Sequence, residues 1–550
     1  MAIKSYKTIY MVSLILISTA NCVNAQSNYP TSTIEPYYDI QLTDAERDSL
    51  MDNLKRAQDS YKALHGYTLN NSVAPAILFD PLPSGFHLNN KQLPINWNLP
   101  KEVTLPANRE ELAFYPVYKL ATLIKNKKIT SVELTKLYLN RLKKFGDTLQ
   151  CVITLMEETA FQQARKADEE NARGKYRGPL HGIPYGIKDL LAVEGTKTTW
   201  GAAGFQDQTI NTTATVVKKL NDAGAVLLVK LTMGALAMGD IWYGGVTKNP
   251  WNLKQGSSGS SAGSASATSA GLVAFTIGTE TLGSIVSPST RCGVTGLRPT
   301  FGRVSRNGAM ALSWSMDKIG PICRSALDCA LVLDAIRGSD GYDKTVKYAS
   351  FNYDGKTDIK KLKVGYLKSL FESKYYNRTN DSIALNVLRS LGVQLQPVEL
   401  PMDLPVNALS VILSAEAAAA FDELTRSNRD SLLTSQRKNA WPNSFRAARF
   451  IPAVEYINAN RVRQQLIEKF YAITKTYDVI VAPSFGGNQL LMTNLPGNPC
   501  LVMPNGFNDQ KSPTSISFLG RLFGEAELIL LGRAYQEATT WDEGQPEFFK

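Results

Sequence analysis

Residues 256–271 read GSSGSSAGSASATSAG, an unbroken run of Gly, Ser, Ala and Thr. No other stretch so narrows what this chain can become. A tract of this composition is either a flexible linker or a place where backbones approach too closely for larger side chains. A linker would lead to a new domain. Here the tract runs directly into Leu272-Val273-Ala274-Phe275-Thr276-Ile277, a short apolar run of strand character. A second small-residue turn follows at once, Gly278-Thr279-Glu280-Thr281-Leu282-Gly283-Ser284. The tract therefore belongs to a core. Its serines present hydroxyls without bulk, which suits a nucleophilic site.

Histidine limits which nucleophilic site that can be. The chain has three, His65, His87 and His181, all before the tract. Gly259-Ser260-Ser261-Ala262-Gly263 has the spacing of a nucleophile elbow, but that arrangement takes its histidine from downstream of the serine. Gly278 to Ser284 has the glycine spacing of a phosphate loop and lacks its lysine. Ser315-Met316-Asp317-Lys318 and Ser435-Gln436-Arg437-Lys438 match Ser-x-x-Lys without the Lys-[Ser/Thr]-Gly that should follow. No Cys/His spacing for a metal is present. A serine without a histidine needs another base, and a buried lysine can serve when desolvation pulls it towards neutrality. Lys188 is the candidate, a single lysine within Gly178-Pro179-Leu180-His181-Gly182-Ile183-Pro184-Tyr185-Gly186-Ile187-Lys188-Asp189. A lone lysine is ordinarily a surface residue, and the apolar, glycine-rich setting is what makes burial the competing reading.

The rest of the chain supplies the frame. Thr43-Asp44-Ala45-Glu46 is a capping box that opens an amphipathic helix to about Leu64, and Thr130-Ser131-Val132-Glu133 opens another. Residues 151–173 are predicted as one helix, and 411–427 and 444–474 as two more. Ala225–Val229 and Val479–Pro483 are short apolar runs between helical stretches. Buried strands alternating with helices predict an α/β fold, a mixed sheet covered on both faces. No internal boundary is visible after about residue 110, so 111–550 is read as one large domain and 26–110 as an N-terminal arm with one helix. The apolar fraction of 44% and charged fraction of 20% are those of a globular chain.

Residues 1–25 read as a signal peptide. Lys4 and Lys7 precede an apolar run from Ile9 to Ile17, too short to span a bilayer, and Val23-Asn24-Ala25 offers small residues for cleavage. The expected location is periplasmic or secreted; a lipoprotein anchored through Cys22 is disfavoured by Asn21 before it. Five cysteines follow the leader, an odd number, and no disulfide is expected. The net charge of +11 is spread thinly, so no nucleic-acid partner is expected, and no run after the leader is long enough for a stable membrane span.

Three of these segments together resemble the amidase signature family. Gly178 to Asp189 is similar to its lysine motif and Gly259 to Ser264 to its Gly/Ser motif. Gly278 to Ile285, followed by Cys292-Gly293-Val294-Thr295-Gly296-Leu297-Arg298-Pro299-Thr300, resembles its nucleophile segment. The likeness covers roughly residues 113–542. It implies a Ser–cis-Ser–Lys triad: Ser284 as nucleophile, Ser260 as bridging serine after a cis peptide bond, Lys188 as base. Ser257-Ser258 repeats the serine pair, and Gly263-Ser264 decides for Ser260. The resemblance also implies Ser261 as a supporting hydrogen-bond partner, and an oxyanion hole from the backbone N–H groups of Thr281, Leu282, Gly283 and Ser284. It implies hydrolysis of a small-molecule or peptide amide without cofactor or metal. An esterase, or a catalytically silent binding protein of the same fold, is the alternative, and a homodimer stays open. Many members carry Asp, Gly and Arg where this chain has Glu280, Leu282 and Val286. An acid–arginine brace of the nucleophile loop is therefore not expected in the same form. The Gly-x-Glu-Thr-x-Gly-Ser version of peptide-amidase-like members fits better. Together with the leader it points away from a cytosolic transamidating subunit. Residues 26–110 lie outside the resemblance and are expected to wrap the enzyme body or cover part of the site mouth.

Overall fold

In the computed structural model, residues 30–66, 69–401 and 403–550 are described. Residues 1–25, read above as a signal peptide, lie outside them, Cys22 included. The chain divides at Asn70/Asn71 into two compact units. In the first, two short 3-10 turns lead into a helix over Asp44–His65. The predicted capping box is present: Glu46 N–H donates to Thr43 Oγ1 at 3.3 Å and Thr43 N–H to Glu46 Oε2 at 2.7 Å. Arg47 reaches back to Glu35 through two 2.8 Å bonds and fixes the turn to the helix. None of the helix's residues is buried.

The second unit is built on an eleven-stranded mixed sheet. In chain order its strands are β1 (Val152–Leu155), β2 (Pro184–Lys188), β3 (Val226–Leu231), β4 (Phe275–Glu280), β5 (Thr295–Arg298), β6 (Lys318–Cys323), β7 (Val364–Leu367), β8 (Leu395–Val398), β9 (Val479–Pro483), β10 (Cys500–Phe507) and β11 (Pro513–Gly520). Their order across the sheet is β1-β3-β2-β4-β6-β5-β10-β11-β9-β7-β8. The central strands are buried along their whole length, as a sheet covered on both faces requires. Among the described residues no helix is long and apolar enough to cross a membrane.

Several elements differ from expectation. Val152–Leu155, predicted as the start of a helix, is an edge strand antiparallel to β3. Its Val, Ile and Thr favour the extended backbone, and the helix begins only at Glu157, with two acidic residues in its first turn. The predicted helix 444–474 is two helices, Trp441–Ala448 and Ala453–Thr474, because Pro452 cannot continue the first. The predicted 411–427 helix breaks at Phe421. Residues 71–110 belong to the second unit. They run along the large unit: Asn96 bridges to Asp354, and Trp97 stacks on Tyr353 at 5.6 Å.

The small-residue tract is no linker. It ends β-structure at Gly256, turns, and forms a helix over Ala262–Ser269 in which every residue is buried. A Cβ on Gly263 would lie 2.6 Å from Thr232 Oγ1 and 2.8 Å from the Cys151 carbonyl oxygen. That contact explains why the helix carries nothing larger there.

Candidate active site

Strands β2 and β4 are parallel neighbours, with Tyr185 opposite Phe275 and Ile187 opposite Ile277. Their carboxyl ends therefore open on the same edge of the sheet, where α/β proteins place their sites. Lys188 is the last residue of β2, and the turn 281–285 follows β4 directly. The small-residue tract brings Ser260 and Ser261 to the same edge, and Ser261 N–H donates to the Ser284 carbonyl oxygen at 3.2 Å. The Gly259–Ser260 peptide is cis. A Cβ on Gly259 would stand 1.9 Å from the Gly239 carbonyl oxygen, so only glycine fits.

Lys188 is fully buried. Its ammonium reaches three hydroxyls: Ser260 Oγ at 2.7 Å, Thr279 Oγ1 at 2.9 Å and Ser261 Oγ at 3.2 Å. Burial pulls the lysine from 10.5 to about 7, against the opposing carboxylates of Asp317 and Glu280. Ser261 is locked in turn, accepting from Thr279 N–H and donating to the Thr279 carbonyl, both at 3.1 Å. Ser284 is 8% exposed. Among the described residues no hydrogen bond joins its hydroxyl to Ser260, and the N–H groups of Leu282, Gly283 and Ser284 donate to no other group. Gly283 takes a left-handed φ of 82°, which lets the turn present them.

The turn is braced from below. Glu280, fully buried, accepts from Ile285 N–H at 2.8 Å and Val286 N–H at 3.0 Å through one carboxylate oxygen. Its other oxygen accepts from Arg298 Nη1 at 2.8 Å and Asn494 Nδ2 at 2.9 Å. Burial works against the Glu280 charge, but Arg298 and the Val286 N–H hold the carboxyl down at about 2. An acid–arginine brace thus exists with Val286 in place, the arginine coming from β5.

Sequence reasoning missed Thr279, Arg298 and Asn494. Thr279 and Arg298 lay inside the segments singled out, but nothing local marks which side chains turn inward. It also missed that two further lysines are buried. Lys230 pairs with Asp189 at 2.9 Å and donates to Thr198 Oγ1 at 2.6 Å. Lys318 reaches the Thr281 carbonyl oxygen at 3.5 Å. Of the histidines, His181 is buried with Nε2 at 2.8 Å from the Ala167 carbonyl oxygen, away from the serines. Cys151, Cys292, Cys323, Cys329 and Cys500 are free and buried.

The profile of the Amidase family matches residues 133–529. A glutamyl-tRNA(Gln) amidotransferase subunit from a Marinomonas species is 34% identical over 483 residues, spanning 78% of this chain and 98% of its own. The solved structure of a peptide amidase from Stenotrophomonas maltophilia superposes with a TM-score of 0.69 at 30% identity, covering 77% of this chain and 97% of that one. The corresponding amidotransferase subunit of Thermotoga maritima superposes with a TM-score of 0.65 at 25% identity, covering 78% and 95%. The chain belongs to the amidase signature family of amide-processing enzymes.

Proposed function

We propose that this enzyme hydrolyses the C–N bond of a linear carboxylic amide through an acyl-enzyme on Ser284. The observation that carries the reading is the 2.7 Å contact between Ser260 Oγ and a buried Lys188 drawn down to about 7. Such a lysine is neutral in a large share of molecules near neutral pH and can accept a proton. Lys188 takes the Ser260 proton as Ser260 takes that of Ser284, and Ser284 Oγ attacks the amide carbon. The Ser284–Ser260 link, not made at rest, must close for this transfer. The carbonyl oxygen gains charge beside the N–H groups of Leu282, Gly283 and Ser284, with Thr281 completing the set. The proton returns through Ser260 to the leaving nitrogen, the C–N bond breaks, and ammonia or an amine departs. Water then repeats the path and frees the carboxylic acid.

A second reading comes from the relatives named as amidotransferase subunits: the released amide nitrogen would pass to an acceptor instead of to solvent. We place the enzyme outside the cytoplasm on the strength of the leader, with small amides or amidated peptides as substrates. Cell fractionation and N-terminal sequencing test the placement, a mature chain beginning at Gln26 being the expected result. For the chemistry, amidated peptides, free glutamine and matched esters are incubated with wild type and Ser284→Ala and followed by mass spectrometry. The acid plus free ammonia or amine from wild type, and none from Ser284→Ala, is expected. Esters turned over with amides untouched would favour an esterase. Turnover intact in Ser284→Ala would overturn the assignment.

A further inference from the structure

We infer that Asp317 is a positioning residue: it holds Thr281, and with it the first half of the nucleophile turn. This rests on the reading of Lys188 and Ser284 above. Strand β6 runs antiparallel to β4 with Lys318 opposite Glu280, so the residue before β6 falls opposite the residue after β4. The register thus delivers Asp317 to Thr281. Thr281 Oγ1 donates to Asp317 Oδ1 at 2.6 Å. The other carboxylate oxygen accepts from Leu312 N–H at 2.8 Å and Ser313 N–H at 3.0 Å. The turn from 281 to 286 therefore hangs between two carboxylates. Glu280 grips its far end through Ile285 and Val286, and Asp317 grips its near end through Thr281. The N–H groups between them are left free for a ligand.

Asp317 is itself buttressed. Ser313 Oγ and Ser315 Oγ donate to Glu416 at 2.6 and 2.7 Å, and Tyr456 OH donates to the same carboxylate at 2.8 Å. Arg463 adds 2.8 Å bonds to the Ser315 hydroxyl and carbonyl. Helices Ser410–Ala420 and Ala453–Thr474 thereby fix the 312–315 loop that fixes Asp317. Lys188 faces Asp317 and Glu280, while its neighbour Asp189 is engaged by Lys230. Asp317 faces Lys318 and Arg306, and Arg306 is held by Asp343 at 2.9 Å. Glu280 is paired with Arg298 at 2.8 Å, whereas among the described residues Asp317 makes no ion pair. A negative charge there favours the protonated lysine, so its removal moves the neutral form to lower pH.

The test is the rate at which a fluorophosphonate probe labels Ser284 in the full chain as pH is varied. It compares wild type, Asp317→Asn, Thr281→Val and Thr281→Ser. Asp317→Asn should slow the plateau rate by ~10-fold or more, the scale of a disturbed oxyanion site, and should move the acid limb to lower pH. Thr281→Val should slow the plateau without moving the limb, and Thr281→Ser should restore it. A purely structural role would not move the limb. An Asp317→Asn profile that superposes on wild type overturns the inference, as does a limb that shifts equally in Thr281→Val. If Asp317→Asn does not fold, the two Thr281 variants still decide the inference: equal rates in Val and Ser refute it. Wild-type protein that is never labelled at Ser284 refutes the proposed function instead.

Discussion

A base held neutral by burial costs stability, and that cost can be measured. Lys188 sits at about 7 in the folded protein against an ordinary value of 10.5. The sign follows from which state binds more protons. Between the two values the unfolded chain is protonated at this lysine and the folded chain is not. Folding must therefore expel a proton, and stability rises with pH across that window. Below about 7 both states are protonated and the penalty is constant. The penalty comes to about 4 kcal/mol at pH 7 and under about 1 kcal/mol at pH 10. Lys188→Met removes it at little change of shape, but forfeits three hydrogen bonds to Ser260, Ser261 and Thr279, worth about 1 kcal/mol each. The variant should be inactive, and about 1 kcal/mol more stable than wild type at pH 7. At pH 10 it should be about 2 kcal/mol less stable. Urea unfolding of both proteins at the two pH values checks this. The change of about 3 kcal/mol between them does not depend on what the hydrogen bonds are worth. A difference between the proteins that stays constant from pH 7 to 10 would refute burial as the source of the lysine's neutrality.

The same lysine should govern activity: kcat/KM of wild type should rise with pH through an acid limb near 7, since only the neutral amine accepts the Ser260 proton. A flat profile from pH 6 to 9 would be incompatible with a lysine base. Arg298→Met should destabilise the protein by about 3 kcal/mol or more, because Glu280 is left buried without its counter-ion. The unfolded chain is the same in both, so the loss should be largest at neutral pH and shrink as pH falls towards 2, where the wild-type carboxyl takes up its proton. Equilibrium unfolding at pH 7 and pH 4 reads both.

What was legible in the sequence was what local chemistry decides. Both capping boxes, at Thr43 and Thr130, form as predicted because donor and acceptor lie three residues apart. Strand β9 matches the apolar run Val479–Pro483 residue for residue. Strand β1 was missed because Val152–Leu155 becomes a strand by pairing with residues 226–231, and only Met156 separates it from the helix that follows. Lys188 stood out by its apolar, glycine-rich setting, whereas Ser260 and Ser284 were picked from many serines by the family resemblance. Arg298 as partner of Glu280 was not legible. The sequence places an arginine on β5 and a glutamate on β4, and only the arrangement of β4, β6 and β5 brings the two together.

Burial alone does not make a base, as the three lysines buried among the described residues show. Each is stripped of water, and burial pushes each down from its ordinary value. Lys230 is met by Asp189 at 2.9 Å, so its proton has a counter-ion and a reason to stay. Lys318 lies beside the Thr281 carbonyl, which can accept a hydrogen bond but has no proton to give. Lys188 meets three hydroxyls and no carboxylate within bonding distance. Lys318 has no ion-pair partner among the described residues either, but only at Lys188 is the neighbour a proton donor whose oxygen can pass the demand on. A carboxylate placed where Thr279 stands should therefore silence the site while leaving the lysine buried: Thr279→Asp would supply the counter-ion Lys188 lacks. The acid limb of probe labelling would then move to higher pH, and a limb left in place would show that the lysine's partners are not what sets its protonation.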